Sequence, residues 1–141
     1  MSFLLDTNVL SEIRKGENCH PAVRGWWSGT AELDLHVSVM VLGEIRRGIE
    51  RLRDRNTAKA RELDNWLKSV LHGFGERLLT VDRDVADVWG SMTVRRTLPL
   101  VDGLLAATAV AHDLTLVTRN TKDIEDCGAR LLNPWDRHGQ P

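Results

Sequence analysis

The sequence lacks the features that mark several common classes of protein. No apolar run approaches the ~20 residues that a membrane-spanning helix requires, and no basic segment precedes the first apolar stretch, as it does in a secretory signal. Only two cysteines occur, Cys19 and Cys127, and their separation fits no metal or redox motif. Two unpatterned cysteines are typical of reduced thiols. These absences predict a cytoplasmic protein that has no membrane partner.

A strong excess of charge of either sign is missing as well. The 19 Lys and Arg residues are balanced by 20 Asp and Glu residues, so the formal net charge is -1 and the pI is about 6.5. This balance excludes a protein that coats nucleic acid by bulk electrostatics, but it permits a nucleic-acid enzyme whose positive charge is local. The five histidines are dispersed and no two are four residues apart, so no zinc-binding spacing is present.

What is present is an unbroken alternation of strand-like and helix-like segments over 141 residues. Apolar or alternating stretches predict strands at 3–5, 33–38, 78–81, 114–118 and 129–132, and stripes at helical spacing predict helices between them. This pattern predicts one domain over residues 1–141, with a core over about 3–132 and a short C-terminal tail. The predicted fold class is α/β, with a mostly parallel central sheet of about four to five strands covered on both faces.

Several acidic residues stand at positions that a purely structural role does not readily explain. Asp6 ends the first predicted strand, Glu44 borders the apolar stripe of its helix, and Asp102 opens a later apolar helix. Asn120 and Asp123 follow the fourth predicted strand. Ligands bind beyond the carboxyl ends of the strands in such sheets. We therefore expect these side chains to share one crevice if the first and fourth strands are parallel neighbours.

Each of these residues also has an ordinary structural interpretation. Asp6 and Asp102 suit helix caps, Glu44 suits a solvated helix face, and Asn120 and Asp123 suit a turn. The functional interpretation depends on their conjunction, because widely separated positions offer oxygen ligands to one crevice. Clustered carboxylates repel one another, and Mg²⁺ or Mn²⁺ is the natural partner of such oxygen ligands.

Three segments resemble a known family in their order and separation: LLDTNVLSEI, then VSVMVLGEIRRGIE, then LVDGLLAATAVAHDLTLVTRNTKDI. They resemble the PIN-domain ribonucleases, and most of all the VapC and FitB toxins of type II toxin–antitoxin pairs. The resemblance extends from Phe3 to about Leu132. It implies a PIN-like α/β/α sandwich and an Mg²⁺-dependent endoribonuclease whose typical targets are tRNA or rRNA. It also implies a cognate antitoxin and a homodimer.

The resemblance assigns roles to residues of this sequence. It places catalytic acids at Asp6, Glu44 and Asp102, with Asp6 and Asp102 as the principal metal ligands. Glu44 then orients or deprotonates the attacking water. The fourth acidic position falls near Asn120, where an amide stands instead, and Asp123 is the alternative. This departure leaves open whether one or two metal ions bind.

Other side chains are expected to support these acids and the substrate. Carboxylates and waters at a metal site are oriented by hydrogen bonds from neighbouring polar groups, and four candidates are Thr7, Asn8, Ser38 and Thr118. Arginines around the site suit contact with RNA phosphates, and three candidates are Arg46, Arg47 and Arg119. The arginine-rich run 46–55 also suits a solvated helix face with salt bridges.

Three other functions are compatible with parts of the pattern. A phosphatase of the haloacid-dehalogenase type also begins with a strand that ends in Asp, but it requires a second Asp where Asn8 stands. A receiver domain requires paired acids near the first strand and a lysine after a late strand, and neither is evident. A catalytically silent PIN-like module that binds RNA or protein is the remaining alternative, and Asn120 keeps it open.

Overall fold

A computed structural model of the chain describes residues 1–136. Its five strands form one parallel sheet with the order β3-β2-β1-β4-β5. The strands are β1 (Phe3–Leu5), β2 (Leu35–Ser38), β3 (Leu78–Leu79), β4 (Thr115–Val117) and β5 (Arg130–Leu132). The predicted α/β class with a parallel sheet is therefore confirmed.

The strand β1 is the middle strand of the sheet and β4 is its neighbour, and both are mostly apolar. Every residue of both strands is buried, as expected where helices cover a parallel sheet on each side. Within residues 1–136, seven α-helices accompany the strands: α1 (Thr7–Ile13), α2 (Pro21–Ser28), α3 (Val39–Arg53), α4 (Thr57–Phe74), α5 (Arg83–Met92), α6 (Leu100–Ala111) and α7 (Thr121–Ile124). None of the helices within residues 1–136 is both long and apolar enough to cross a bilayer.

The start of α6 differs from the sequence prediction. The helix begins at Leu100, after Pro99, so Asp102 is its third residue and does not open it. Proline suits this position because it has no N–H to leave unpaired and its φ is already near the helical value. Asp102 still lies in the first turn, where the helix dipole favours negative charge.

Four strands are also shorter than predicted: β2, β3 and β4 each lose two residues, and β5 loses one. The strand β2 begins at Leu35, two residues later than expected, because Glu32–Asp34 forms a 3₁₀ turn. The strand β3 ends at Leu79, since Thr80 and Val81 are exposed. None of these changes alters the sheet order or the edge where the strands end.

The packed core continues beyond the predicted limit at Leu132. A 3₁₀ turn at Pro134–Asp136 packs against α2, and Trp135 within it is only 8% exposed. The predicted C-terminal tail therefore begins with a core residue. Residues 137–141 of that tail lie outside the described part of the chain.

A glycine in α6 permits its close packing against α5. A Cβ atom on Gly103 would lie 3.1 Å from Nε1 and 3.3 Å from Cδ1 of Trp89. This contact fixes the first turn of α6, which also carries Asp102. Replacing Gly103 with Val is therefore expected to destabilise the protein by about 1–3 kcal/mol through overpacking.

The matched control for this change is Gly90→Val on α5. A Cβ on Gly90 would meet no heavy atom within 4 Å, so the helix should keep or slightly gain stability relative to glycine. Chemical denaturation of the two variants and the wild type measures the difference. Equal stability of the two variants would show that the contact with Trp89 does not constrain α6.

Candidate active site

The carboxyl end of the sheet brings residues 6 and 118 side by side. The strands β1 and β4 are parallel neighbours with Leu5 opposite Val117, so the residues that follow leave the sheet together. The Thr118 hydroxyl donates a 2.7 Å hydrogen bond to Oδ2 of Asp6. The Asp6 N–H donates to the Val117 carbonyl at 3.0 Å. The neighbouring strands that the predicted crevice required are therefore present.

The Asp6 carboxylate is buried and held by several donors. Asp6 is 8% exposed, and its Oδ1 accepts a 2.7 Å hydrogen bond from the Thr7 N–H at the start of α1. The Asn8 amide nitrogen lies 3.5 Å from Oδ2 and 3.4 Å from the Thr118 hydroxyl oxygen. Asp6 is thus a helix cap and an oriented carboxylate at once, so its two sequence interpretations are compatible.

Glu44 reaches the same edge of the sheet from α3. The Thr7 hydroxyl donates a 2.7 Å hydrogen bond to Oε1 of Glu44, which joins α1 to α3. Glu44 is exposed, and its Oε2 accepts no hydrogen bond from residues 1–136. A carboxylate that is anchored through one oxygen and open at the other is suited to accept a proton from a water.

Asp102 adds a third carboxylate from the first turn of α6. Burial raises the pKa of this carboxyl above its usual value, and the negative charges of Asp6, Glu44 and Asp123 raise it further. All four causes act in the same direction because burial and neighbouring negative charges both disfavour the ionised form of Asp102. This mutual repulsion is the electrostatic condition that a bound cation relieves.

These acids open onto a cleft of about 420 Å³, the acidic cleft. Asp6, Glu44 and Asp102 all line it, as does Asn120. The Asn120 N–H donates a 3.2 Å hydrogen bond to the Thr118 hydroxyl, so the segment after β4 is tied to the same hydroxyl that orients Asp6. The cleft therefore contains three of the predicted acids and the predicted amide.

A second cleft of about 470 Å³ adjoins the acidic cleft and shares Arg119, Asn120 and Trp135 with it. Asp123 lines this second cleft only, although its charge still acts on Asp102. The Asn120 amide thus lies in the same cleft as Asp6, Glu44 and Asp102, while the Asp123 carboxylate lies in the adjoining one. Which of the two completes the site stays a prediction.

The supporting hydroxyl and amide groups divide into two kinds. Thr7, Asn8 and Thr118 contact the carboxylates directly. Ser38 is fully buried and contacts none of them within residues 1–136. Its hydroxyl accepts a 3.0 Å hydrogen bond from the Met40 N–H and caps α3, so it supports the site through the helix that carries Glu44.

Arg46 belongs to an ion-pair network that joins α3 to α4. Its guanidinium lies 2.7 Å from Asp64 and 3.0 Å from Glu50. Arg53 first, and then Arg46, lowers the pKa of Glu50 and of Asp64 to about 2. Arg47 is exposed and forms no ion pair within residues 1–136. RNA contact by Arg46 or Arg47 stays a prediction, and Arg46 already has carboxylate partners.

Arg119 lies at the boundary between the two clefts. Its guanidinium carbon is 5.2 Å from the centre of the Trp135 ring, a cation–π contact that holds the side chain over the indole. The Asn133 amide donates to the Arg119 carbonyl at 3.2 Å. Arg119 is exposed, so its position suits the predicted phosphate contact.

Four residues of the acidic cleft were absent from the sequence prediction: Ser11, Glu12, Lys15 and Trp135. Glu12 is 8% exposed, a value that charged residues seldom reach without a partner. Glu12 lies on the buried side of α1, near Val9 and Leu10. The helical period of the sequence could therefore have indicated that Glu12 is buried. Lys15 and Trp135 follow the ends of regular elements, where periodicity carries no information.

The donor set fits a hard divalent cation in an open site. Within residues 1–136, no three acidic, histidine or cysteine side chains converge tightly enough to ligate an ion by themselves. Mg²⁺ is usually bound by one or two carboxylates together with waters and substrate phosphates. Asp6 and Asp102 could supply two carboxylates of this kind, and the repulsion that Asp102 experiences from the other acids would be relieved by a cation.

The fold and the cleft together define a class of protein. This class consists of α/β proteins in which a parallel sheet carries a cluster of carboxylates at its carboxyl edge. The chain belongs to the PIN domain family, whose sequence model matches residues 3–127.

Curated relatives and solved structures agree with this assignment. The chain is 31% identical over 140 residues to VapC ribonuclease Y4jK of Sinorhizobium fredii, covering 94% of this chain and 97% of the relative. It is 33% identical over 139 residues to toxin FitB of Neisseria gonorrhoeae, covering 94% and 97%. The crystal structure of FitAcB from N. gonorrhoeae matches with a TM-score of 0.85 and 31% identity, covering 95% of this chain and 99% of that one.

Proposed function

We propose that this chain is a cytoplasmic, metal-dependent endoribonuclease and the toxin of a toxin–antitoxin pair. Mg²⁺ or Mn²⁺ is the proposed cofactor, and RNA, with tRNA or rRNA as typical targets, is the proposed substrate. The observation that carries the proposal is the convergence of Asp6, Glu44 and Asp102 on one cleft from distant parts of the sequence. The relatives named ribonuclease and toxin support the same activity.

The residues of the acidic cleft have different proposed roles in phosphodiester hydrolysis. Asp6 and Asp102 would hold the cation, which would supply charge neutralisation at the phosphate and lower the pKa of a water. The Thr118 hydroxyl and the Thr7 N–H occupy one oxygen each of Asp6 and so prevent its carboxylate from rotating. This restraint keeps the ligand oxygens in one orientation before the substrate arrives.

Glu44 acts on the attacking water. Its Oε1 is engaged by the Thr7 hydroxyl, and its Oε2 is free to orient the water and accept its proton. Asn120 adds an amide oxygen at the same cleft, with Asp123 as the alternative fourth ligand. Arg119 contacts the RNA backbone at the boundary of the two clefts.

The first test is metal binding, because it needs no knowledge of the RNA. Antitoxin-free protein is titrated calorimetrically with Mn²⁺ and Mg²⁺, beside Asp6→Asn and the control Asp84→Asn, an exposed acid on α5. The proposal predicts saturable binding that only the Asp6 variant loses. Cleavage of tRNA and rRNA fragments is then assayed with the same three proteins.

The same assays separate the nuclease from the alternative. A silent PIN-like module would bind RNA equally well with Asp or with Asn at position 6. It would release no cleavage products with Mn²⁺ or with Mg²⁺. Metal binding that is unchanged in Asp6→Asn would also contradict the proposed site. RNA is included in a repeat titration, so that a site completed by substrate phosphates is not missed.

We propose that the antitoxin docks in an apolar cleft of about 230 Å³ beside the acidic cleft. Ile45, Gly48, Ile49 and Trp66 line this apolar cleft, and Glu44 and Thr7 are shared with the acidic one. A segment with apolar side chains followed by a basic residue would complement both clefts at once. Other chains with this fold come from toxin–antitoxin complexes, for example one from Klebsiella pneumoniae.

The floor of the apolar cleft offers a test of this docking. A Cβ on Gly48 would meet no heavy atom within 4 Å, so Gly48→Leu is expected to fold normally and fill the cleft with its side chain. We expect the affinity for the cognate antitoxin to fall at least about tenfold, with RNA cleavage unchanged. Gly48→Ala is the matched control, because it adds only a methyl group. Calorimetric titration with the antitoxin measures both, and unchanged affinity of the Leu variant would exclude this groove.

We also propose that the protein is a homodimer. Two exposed apolar side chains flank the connection between α5 and α6, with Val94 82% and Leu100 60% exposed. Large apolar side chains of this exposure favour contact with another protein surface. Light scattering of the antitoxin-free wild type and of Leu100→Lys measures the molar mass of each. The proposal predicts a dimeric wild type and a weakened dimer in the variant, and a monomeric wild type would contradict it.

A further inference from the structure

The acidic cleft has to admit a polyanion. Its walls carry the carboxylates of Asp6, Glu44 and Asp102, and its cationic side chains within residues 1–136 are Lys15 and Arg119. The affinity of proteins for RNA comes largely from Lys and Arg contacts with phosphates. The placement of these two cations therefore decides how a phosphate backbone enters the cleft.

Lys15 is held at the wall of the cleft by a buried carboxylate. Its Nζ lies 2.9 Å from Oε1 of Glu12, whose side chain is 9% exposed. Oε2 of Glu12 accepts a 2.9 Å hydrogen bond from the His20 N–H, just before α2. The His20 N–H first, and then Lys15, lowers the pKa of Glu12 below its usual value. Glu12 therefore stays ionised at neutral pH and fixes the ammonium group.

The ammonium group of Lys15 remains open to a ligand. The Lys15 side chain is 52% exposed. An ammonium has three N–H donors, and one of them is used by Glu12 in the part of the chain that the structure describes. A lysine that is already restrained loses less rotamer freedom when it binds a phosphate. The arrangement thus offers two free donors at a fixed place.

Another lysine pair in the protein shows what an ordinary surface interaction looks like. Lys59 and Glu62 on α4 have the same spacing and lie 2.6 Å apart, but their side chains are 40% and 64% exposed. Glu62 has no second partner within residues 1–136. The pair of Lys15 and Glu12 differs because its carboxylate is buried, braced by α2 and located in the acidic cleft.

We propose that Lys15 binds a phosphate of the RNA next to the bond that is cleaved, and that Glu12 is its positioning residue. This inference rests on the proposed nuclease function. Lys15 contacts the backbone from the end of α1, and Arg119 contacts it from the segment after β4. Together the two cations offset the repulsion between the RNA phosphates and the carboxylates of the cleft. The role is one of binding, so its loss raises KM and leaves kcat nearly unchanged.

The test compares Lys15→Gln with Lys59→Gln. Each variant removes one lysine from a pair of the same spacing, but only Lys15 lies in the cleft. Binding of a short, labelled single-stranded RNA is measured by fluorescence anisotropy with Ca²⁺ in place of Mg²⁺ at several KCl concentrations. We expect Lys15→Gln to weaken binding about tenfold, in line with the loss of a hydrogen bond to a charged group. The slope of log K against log salt should fall by about 0.7, the value for one phosphate contact on a single strand.

Two further variants distinguish positioning from net charge and from folding. Glu12→Gln removes a negative charge from the cleft, so a purely electrostatic effect would strengthen RNA binding. The positioning role predicts that this variant weakens it. Lys15→Arg keeps the charge and should restore most of the affinity. Thermal unfolding of each variant is recorded beside the binding curves. Lys15→Gln is expected to unfold below the wild-type temperature because the buried Glu12 loses its counter-charge, whereas Lys15→Arg keeps the pair and should unfold near it.

The outcomes separate this proposal from the nuclease proposal. A weakened Lys15→Gln, a weakened Glu12→Gln and an unaffected Lys59→Gln support the phosphate site. Equal affinity and salt slope for Lys15→Gln and the wild type overturn it, and the proposed function stands if the wild type still cleaves RNA. Tighter binding by Glu12→Gln overturns the positioning role. A wild type that neither cleaves nor binds RNA overturns both proposals.

Discussion

Replacing Asp102 with Asn is expected to lower the rate of RNA cleavage at least about 100-fold, in the range found when a preorganised electrostatic group is removed from an active site. The substitution removes a proposed metal ligand and keeps the size of the side chain. It should also abolish saturable Mn²⁺ binding in a calorimetric titration. The effect should lie in kcat, since the role proposed for Asp102 is to hold the metal and not the RNA backbone.

The same variant is expected to be more stable than the wild type in metal-free buffer at pH 7. The pKa of Asp102 is raised in the folded state above the usual 3.8, so the folded protein binds this proton more tightly than the unfolded chain. Ionisation of Asp102 therefore costs stability as the pH rises above 3.8. An uncharged Asn avoids this cost. The stability difference should vanish below pH 3.8, where Asp102 is protonated in both states.

Thermal unfolding in EDTA at several pH values measures this difference, with Asp87→Asn on the exposed face of α5 as the control. We expect the variant to gain stability and lose activity, because an acid that serves function here lowers the stability of the folded protein. A destabilised Asp102→Asn that cleaves RNA normally would assign Asp102 to the helix start alone.

Replacing Thr118 with Val is expected to lower metal affinity or cleavage about 10- to 100-fold, the usual effect of removing a group that orients a metal ligand. The Thr118 hydroxyl donates to Asp6 at 2.7 Å and accepts from the Asn120 N–H at 3.2 Å. Valine has nearly the same shape, so the fully buried position stays filled. The loss therefore reports the hydroxyl and not a cavity.

The conservative variant Thr118→Ser keeps the hydroxyl and removes only a methyl group. It should retain most of the metal affinity, although its stability falls because a buried methyl is lost. Mn²⁺ titration and cleavage assays on both variants separate the two effects. Equal losses of metal affinity in the Val and Ser variants would show that packing at this position, and not the hydrogen bond to Asp6, supports the site.

The sheet could be predicted from the sequence because its signals are local. The central strands are short apolar runs that end on Asp6 and Thr118, and this pattern depends only on adjacent residues. The helix that carries Glu44 follows β2 without a loop, so the change from strand to helical period at Val39 indicated where it begins. The parallel order then placed the strand ends at one edge.

The remaining features depend on contacts that no local pattern contains. Glu12 is buried because the His20 N–H and Lys15 satisfy its carboxylate; Lys15 lies at the local spacing of three residues, but the His20 N–H comes from the chain just before α2. Trp135 is buried because the chain returns to α2 after β5. The start of α6 was displaced by Pro99, whose fixed φ begins the helix two residues before Asp102.

The hydrogen bond between Thr118 and Asp6 has a consequence for the synthesis of the protein. It joins positions 112 residues apart, and β1 pairs with β4 over the same distance. Because a chain leaves the ribosome from its N-terminus, Asp6 emerges long before the strand that completes its surroundings. The Asp6 carboxylate gains the Thr118 hydroxyl only after the segments that carry Glu44 and Asp102 have been synthesised. The acidic cleft therefore stays incomplete while the chain between β1 and β4 is being made.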